Sequence, residues 1–337
     1  MHTPLNIPSV KGCINHPYHP SVAFLPDGWN GHRYWMAQTP FPPVAIEPYQ
    51  DRWELPCIHY SDDGISWYPA MSHPVEELTA EEIAVKDYYS DPHLLIVDGV
   101  MQLYYRFSVL EDGDMKTNKT LLYRRTSRNG KDWSERELIA DLRKNEDVAI
   151  WGAQIISPAI VYREGEYRCW YVDASNWEPT RRVCMSISKD GLHWDTAQKC
   201  RFDAEAIIPW HLDVLYQNGI YRMLGYDLQT QAIREYVSED GIQWEEKQVI
   251  IKPSCIEGDF YSDDLYRACS VQTDKGYNIY FSANNSKQSF IGMLRTEDWK
   301  EFVPVNGTNP ITWYVRNWNW SREKRYIKRM IKKVIGK

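Results

Sequence analysis

Four short strings carry the residues of this chain best suited to chemistry: His19-Pro20, Asp91-Pro92, Ser157-Pro158 and His211-Leu212-Asp213. Each opens an apolar segment. In the last three, the leading residue stands eight positions before a turn glycine, Gly99, Gly165 or Gly219. Carboxylates and imidazoles are the side chains of proton transfer. A carboxylate can activate water or attack carbon, while a second carboxyl or an imidazole protonates a leaving group. Asp213 follows His211 by two residues, so in an extended strand both project from one face. Groups this far apart in sequence converge only if the segments carrying them repeat around a common centre.

The chain does repeat. Ser61-Asp62-Asp63-Gly64-Ile65-Ser66-Trp67 recurs as Ser127 to Trp133, Ser188 to Trp194 and Ser238 to Trp244, with a worn copy in Arg295-Thr296-Glu297-Asp298-Trp299. Successive tryptophans lie 66, 61, 50 and 55 residues apart, a period that suits one four-stranded propeller blade with its loops. The Asp-Gly or Asn-Gly pair supplies positive φ for a turn between antiparallel strands, and the tryptophan can wedge between neighbouring blades. A second repeat lies between these turns, an apolar strand followed by a tyrosine-rich one such as Gln102-Leu103-Tyr104-Tyr105 or Tyr167-Arg168-Cys169-Trp170-Tyr171. The expected fold is all-β, a five-bladed β-propeller over residues 1–314, with a Trp-rich segment and a short basic amphipathic helix over 315–337. In such a fold the innermost strands face one axial channel. His19, Asp91, Ser157, His211 and Asp213 then form a ring of polar groups around one cavity.

Composition supports one large β body. Of 337 residues, 15 are Trp and 23 Tyr against 8 Phe, so many rings carry a polar edge suited to sugars as well as to blade packing. The seven cysteines show no C-x-x-C pairing, which reads as reduced thiols in the cytoplasm. The first residues lack a basic start and an apolar run, and no apolar stretch reaches membrane-spanning length. The net charge is −7, yet residues 315–337 hold nine Lys or Arg against one Glu. Within that tail, Tyr326, Ile327, Met330, Ile331, Val334 and Ile335 recur at helical spacing. The pattern is that of an interfacial helix for an anionic membrane surface, or of a helix docked on the acidic body. The acidic body excludes nucleic acid as the expected partner. P-loop, G-x-G-x-x-G, H-E-x-x-H and G-x-S-x-G motifs are missing, and no metal or other cofactor is expected.

An Asp-Pro opening the second blade, tyrosine-rich second strands and S-x-D-G-x-x-W turns together resemble the propeller glycoside hydrolases of families 43 and 32 and their relatives in families 117 and 130. The likeness covers residues 13 to about 305. It implies cleavage of glycosidic bonds by carboxylates borne on inner strands. In family 43 a blade-one Asp is the base, a blade-two Asp tunes and orients, and a later Glu is the acid. Only the second position transfers cleanly, to Asp91; His19 and Ser157 stand where relatives can be acidic. Family 117 supplies the precedent of a histidine acid, which points to His211.

Glycoside cleavage needs an acid and a base or nucleophile roughly 5 to 9.5 Å apart. Asp91 is the expected base or nucleophile, Asp213 or His211 the acid, and Glu54 a further candidate. Substrate contacts are expected from His19, Trp151, Gln154, Ser157 and Trp210. Arg267 either binds an anionic group of the substrate or pairs with Asp264. The expected function is a glycosidase acting on a bacterial surface glycan or exopolysaccharide, cytoplasmic or peripheral on the inner membrane. The alternatives are a carbohydrate-binding propeller without catalysis and a glycan phosphorylase.

Overall fold

Twenty-one strands and three short helices make up the computed structural model, which describes residues 2–11, 13–41, 54–110, 118–174, 181–256, 259–285 and 287–316, with side chains as far as 313. Blade one holds β1 (Ser21–Trp29), β2 (His32–Gln38), β3 (Cys57–Ser61) and β4 (Tyr68–Pro69). Helix α1 (Ala80–Val85) leads to blade two, β5 (Tyr88–Val97), β6 (Val100–Val109), β7 (Lys119–Ser127) and β8 (Glu137–Asp141). After α2 (Asn145–Trp151), blade three comprises β9 (Ile156–Arg163), β10 (Glu166–Asp173), β11 (Arg182–Ser188) and β12 (Gln198–Lys199). Strand β13 (Arg201–Phe202) pairs in parallel with the outer strand of blade four, which runs β14 (His211–Gln217), β15 (Ile220–Asp227), β16 (Ala232–Ser238) and β17 (Gln243–Ile251). Blade five is β18 (Asp264–Thr273), β19 (Gly276–Asn284), β20 (Ser289–Thr296) and β21 (Val303–Val305), followed by α3 (Pro310–Arg316). Every blade is an antiparallel meander, the five-bladed propeller expected.

Each recurring turn joins the third strand of a blade to the fourth. The serine Oγ accepts the glycine N–H at 2.8 to 2.9 Å, and the Asp or Asn side chain accepts the next two backbone N–H groups at 2.7 to 2.9 Å. The turn is thus closed by its own side chains. Gly130 has φ +73° and abuts the Trp35 ring of the preceding blade, where a Cβ would lie 2.4 Å from ring carbon. Gly241 stands likewise against Trp170. Glycine is required twice, for its backbone angle and for the closeness of the next blade.

The worn fifth copy has a different register. Trp299 takes the glycine position with φ 65°, and its N–H donates to Thr296 Oγ1 at 2.9 Å. Phe302 takes the tryptophan position, and the Trp299 ring packs against Tyr277 and under the Arg222 guanidinium.

The inner strands are laced around the axis by side-chain bonds to neighbouring backbone. Ser21 Oγ accepts Leu94 N–H at 2.9 Å, His93 Nε2 meets Ile160 N and O at 3.0 and 2.8 Å, Ser157 Oγ bridges Leu212 N and O, and Ser282 Oγ accepts His19 N–H. The ring closes through the N-terminal segment. Leu5 N–H donates to Ile291 O in blade five, and Asn6 bridges Ser66 in blade one. The seven cysteines are free thiols. Among the described residues no helix is long and apolar enough to cross a membrane. The basic stripe from Ser321 to Lys337 lies outside the described residues.

Candidate functional site at the entry of the inner strands

Strands β5 and β9 each carry a bulge where an X-Pro pair interrupts the ladder, between Ser90 and His93 and between Ile156 and Ala159. Proline cannot donate to a ladder and is tolerated at such a break. At these points and at His19, the residue before proline is left-handed, with φ 46° at His19, 51° at Asp91 and 53° at Ser157. The conformation costs roughly 1 to 3 kcal/mol in a non-glycine residue. Its recurrence at three blade entries marks a shaped site. In blade five the bulge falls at Tyr266-Arg267, and in blade four the ladder runs unbroken through His211.

These five entries meet at the axis. Asp91, 1% exposed, accepts Ser157 N–H at 3.2 Å and faces Arg106 Nε at 3.2 Å through Oδ2; its Oδ1 looks toward His211 Nδ1 at 3.5 Å. The His19 and His211 rings lie 6.0 Å apart at 26°, and Tyr266 packs against both. His19 Nδ1 meets Thr39 Oγ1 at 2.8 Å and stands 3.7 Å from Glu54 Oε2. Tyr18, Phe41 and Tyr266 form an aromatic wall with ring spacings of 5.7 Å. Four buried polar atoms around this point, Asp91 Oδ1, Glu54 Oε2, His19 Nε2 and His211 Nδ1, have no hydrogen-bond partner. Buried polar groups are rarely left so. Their clustering is that of a site built to be completed.

The electrostatics separate the two carboxyls. Burial by itself would raise Asp91, but the Arg106 guanidinium, with His211, His19 and Arg267 behind it, holds this group well below the ordinary carboxylate range. Burial pushes Glu54 well above its ordinary value, and the Asp91 charge pushes it further. Burial also lowers His19 and His211 to about 3, against the pull of Asp91. The cluster therefore combines a carboxylate at Asp91, a Glu54 carboxyl biased toward its protonated form, and two imidazoles uncharged at neutral pH.

Several sequence expectations need correction. Asp213 does not face Asp91. It lies two residues further along β14 and pairs with His93 Nδ1 at 3.5 Å, lining a separate cavity. Arg267 is fully buried and does not pair with Asp264: it donates to Pro92 O at 2.8 Å and Pro158 O at 3.4 Å, bracing the two proline bulges. Asp264 instead accepts Tyr226 O–H at 2.9 Å, and burial raises it to about 6. Trp151 is 2% exposed and packs on Tyr171 and Trp194, so its faces serve the core between blades. Gln154 gives its amide to Asn118 Oδ1 at 2.6 Å, and Trp210 donates to Tyr266 O–H at 3.3 Å, a supporting position behind the aromatic wall. Glu54, placed by the sequence at a rim or on an outer strand, is buried beside His19.

Arg106 was missed. Its signal was legible as a cation inside the apolar run Leu103 to Phe107 of a second strand, a position that demands a buried anion. Among the described residues no group of three or more His, Cys, Asp or Glu is arranged to hold a metal ion.

The five-bladed fold is shared with glycoside hydrolases and a glycan deacetylase. An A type blood N-acetyl-α-D-galactosamine deacetylase of Flavonifractor plautii is 24% identical over 320 residues, 79% of this chain and 40% of the relative. The chain thus matches less than half the length of that curated relative. The crystal structure of an N-acetylgalactosamine deacetylase from F. plautii with blood group B trisaccharide superposes with TM-score 0.69 at 17% identity, covering 87% of this chain and 93% of that one. A family 43 glycoside hydrolase from Bacillus licheniformis superposes with TM-score 0.56 at 14% identity, over 92% of this chain and 57% of its own. No family model matches the sequence.

Proposed function

We propose that this protein is a glycan hydrolase that cleaves a glycosidic bond at the Asp91 cluster. What supports the reading is the opposite bias of two carboxyls in one buried cluster, Asp91 held toward its ionised form by Arg106 and Glu54 pushed toward its protonated form by burial and the Asp91 charge. Environments that push two carboxyl groups apart in this way assign a base and an acid. Asp91 takes the base or nucleophile role through its unpartnered Oδ1, and Glu54 delivers a proton to the leaving oxygen. His211, uncharged and facing Asp91, orients the attacking group, while Arg106 keeps Asp91 ionised. The aromatic wall of Tyr18, Phe41 and Tyr266 supplies apolar surface of the kind sugar rings stack on.

A second reading is favoured by the similarity over 79% of the chain to a galactosamine deacetylase: hydrolysis of the acetamido group of an amino sugar by the same cluster. One experiment separates the two. The protein is incubated with aryl glycosides and with acetamido-sugar oligosaccharides, and both released sugar and released acetate are measured. Release of sugar, lost in Asp91→Asn and Glu54→Gln, supports the glycosidase; release of acetate with the glycosidic bond intact selects the deacetylase. Binding of the oligosaccharides without either product overturns both.

A further inference from the structure

The aromatic wall carries a third carboxyl at its edge. Asp264 opens β18 two residues before Tyr266; both are half-buried, while Leu265 and Arg267 between and after them are buried. The alternation sets Asp264 on the strand face of Tyr266. Asp264 Oδ1 accepts Tyr226 O–H at 2.9 Å. The Tyr226 ring lies 5.1 Å from that of Tyr266, which in turn packs on His211 at 4.2 Å. We infer that Asp264 is a substrate-contact residue, accepting a hydrogen bond from one hydroxyl of the sugar held at the Asp91 cluster and selecting for that hydroxyl. The inference rests on the reading of that cluster as the hydrolytic site.

The phenols of this wall are already engaged. The Tyr266 hydroxyl accepts Trp210 Nε1–H at 3.3 Å, the Tyr18 hydroxyl is bonded to the Asn284 side chain, and the Tyr226 proton goes to Asp264. Asp264 has capacity left. An ionised carboxylate offers about four lone-pair positions, and its donors here are Tyr226 O–H and the Leu265 backbone N–H. Burial raises Asp264 to about 6, and the neighbouring charge that adds to this is another carboxylate, Asp263. At neutral pH the group is therefore mostly ionised, half-buried and short of donors. A sugar hydroxyl is a neutral donor of the right kind, and its bond to a charged acceptor is among the stronger ones. Capping Tyr226 alone would need only a neutral acceptor, which an asparagine oxygen supplies equally well.

The test uses the full chain with Glu54→Gln, which retains the pocket while slowing turnover. Methyl glycosides of glucose, galactose, xylose and N-acetylgalactosamine are titrated calorimetrically, followed by the monodeoxy analogues of the tightest binder. One analogue should bind at least tenfold more weakly than its parent, since a site built around a substrate hydroxyl rejects the sugar lacking it. Adding Asp264→Asn should weaken the parent at least tenfold and abolish the difference between parent and analogue. If Asp264→Asn fails to fold, the carboxyl carbon shift of Asp264 decides: the parent sugar should move it and the analogue should not. Absence of binding by every glycoside, a loss below tenfold in Asp264→Asn, a deoxy penalty that persists in that variant, or a carboxyl shift equal for parent and analogue would each overturn the assignment. The hydrolytic reading is scored separately, by release of sugar or acetate from the protein with Glu54 intact; binding of this pattern without either product would sink that reading and leave the Asp264 contact standing.

Discussion

Replacing Arg106 by methionine removes the cation that keeps Asp91 ionised while retaining most of the side chain's length. Arg106 Nε lies 3.2 Å from Asp91 Oδ2, and the two side chains are 9% and 1% exposed. At that separation the Coulomb attraction is about 5 kcal/mol for an effective dielectric constant of about 20. Breaking a buried pair by removing one partner costs about 3 to 5 kcal/mol, a large part of the roughly 5 to 15 kcal/mol that holds a domain folded. The sign with pH follows. Asp91 is depressed in the folded state, so the stability it contributes is present above its unfolded value and is lost as pH falls through the carboxylate range. In Arg106→Met the buried carboxyl loses its main counter-charge, and protonation relieves it. The gap in stability between wild type and variant should therefore be widest near pH 7 and narrow toward pH 4. Urea unfolding of wild type, Arg106→Met, Asp91→Asn and the double variant across this range gives the coupling energy. A coupling below about 1 kcal/mol at pH 7, or a gap unchanged with pH, would refute the assignment of Arg106 as the group that ionises Asp91.

Glu54→Gln should lower kcat about 10²- to 10⁴-fold on glycosides with poor leaving groups and far less on those with good ones. In the wild type, activity should fall as rising pH ionises Glu54, whose value burial raises; steady-state rates with two aryl leaving groups across pH 4 to 9 measure both effects. His19 and His211, held at about 3 by burial, should show no ring titration between about pH 5 and 8, as read by imidazole nitrogen shifts. Gly241→Ala should destabilise by roughly 2 to 3 kcal/mol, because φ is +80° and the new Cβ meets Trp170 at 2.7 Å; Gly219→Ala, with φ +85° and nothing within 4 Å, carries only the backbone strain, about 1 kcal/mol. Unfolding midpoints of the two variants separate clash from strain.

The blade count and the entry positions could be read from the chain because they depend on local rules. A serine, an Asx residue and a glycine at fixed spacing close a turn wherever they occur, and glycine at φ +73° has few substitutes. The fifth copy escaped this reading in one respect: Trp299 occupies the glycine position, which only the backbone angle and the Thr296 bond reveal. Counting back from the turn glycines aligned Asp91, Ser157 and His211, and the bond from Ser157 N–H to Asp91 together with the 3.5 Å approach of His211 shows them at one point.

What the sequence determined by itself was therefore the repeat, the turns that enforce it and the ring of residues that opens the inner strands. Which members of that ring share a microenvironment was decided only by tertiary structure. Asp213 follows His211 by two residues on the same face, yet that rise along the strand carries it past the level of Arg267 into another chamber. Glu54 comes from outside the inner strands and reaches His19 across the blade. Arg106 comes from a second strand and sets the charge on Asp91. Each of these placements depends on distances across the axis and on burial, through which a few ångströms push two carboxyls in opposite directions; periodicity along the chain carries no measure of either.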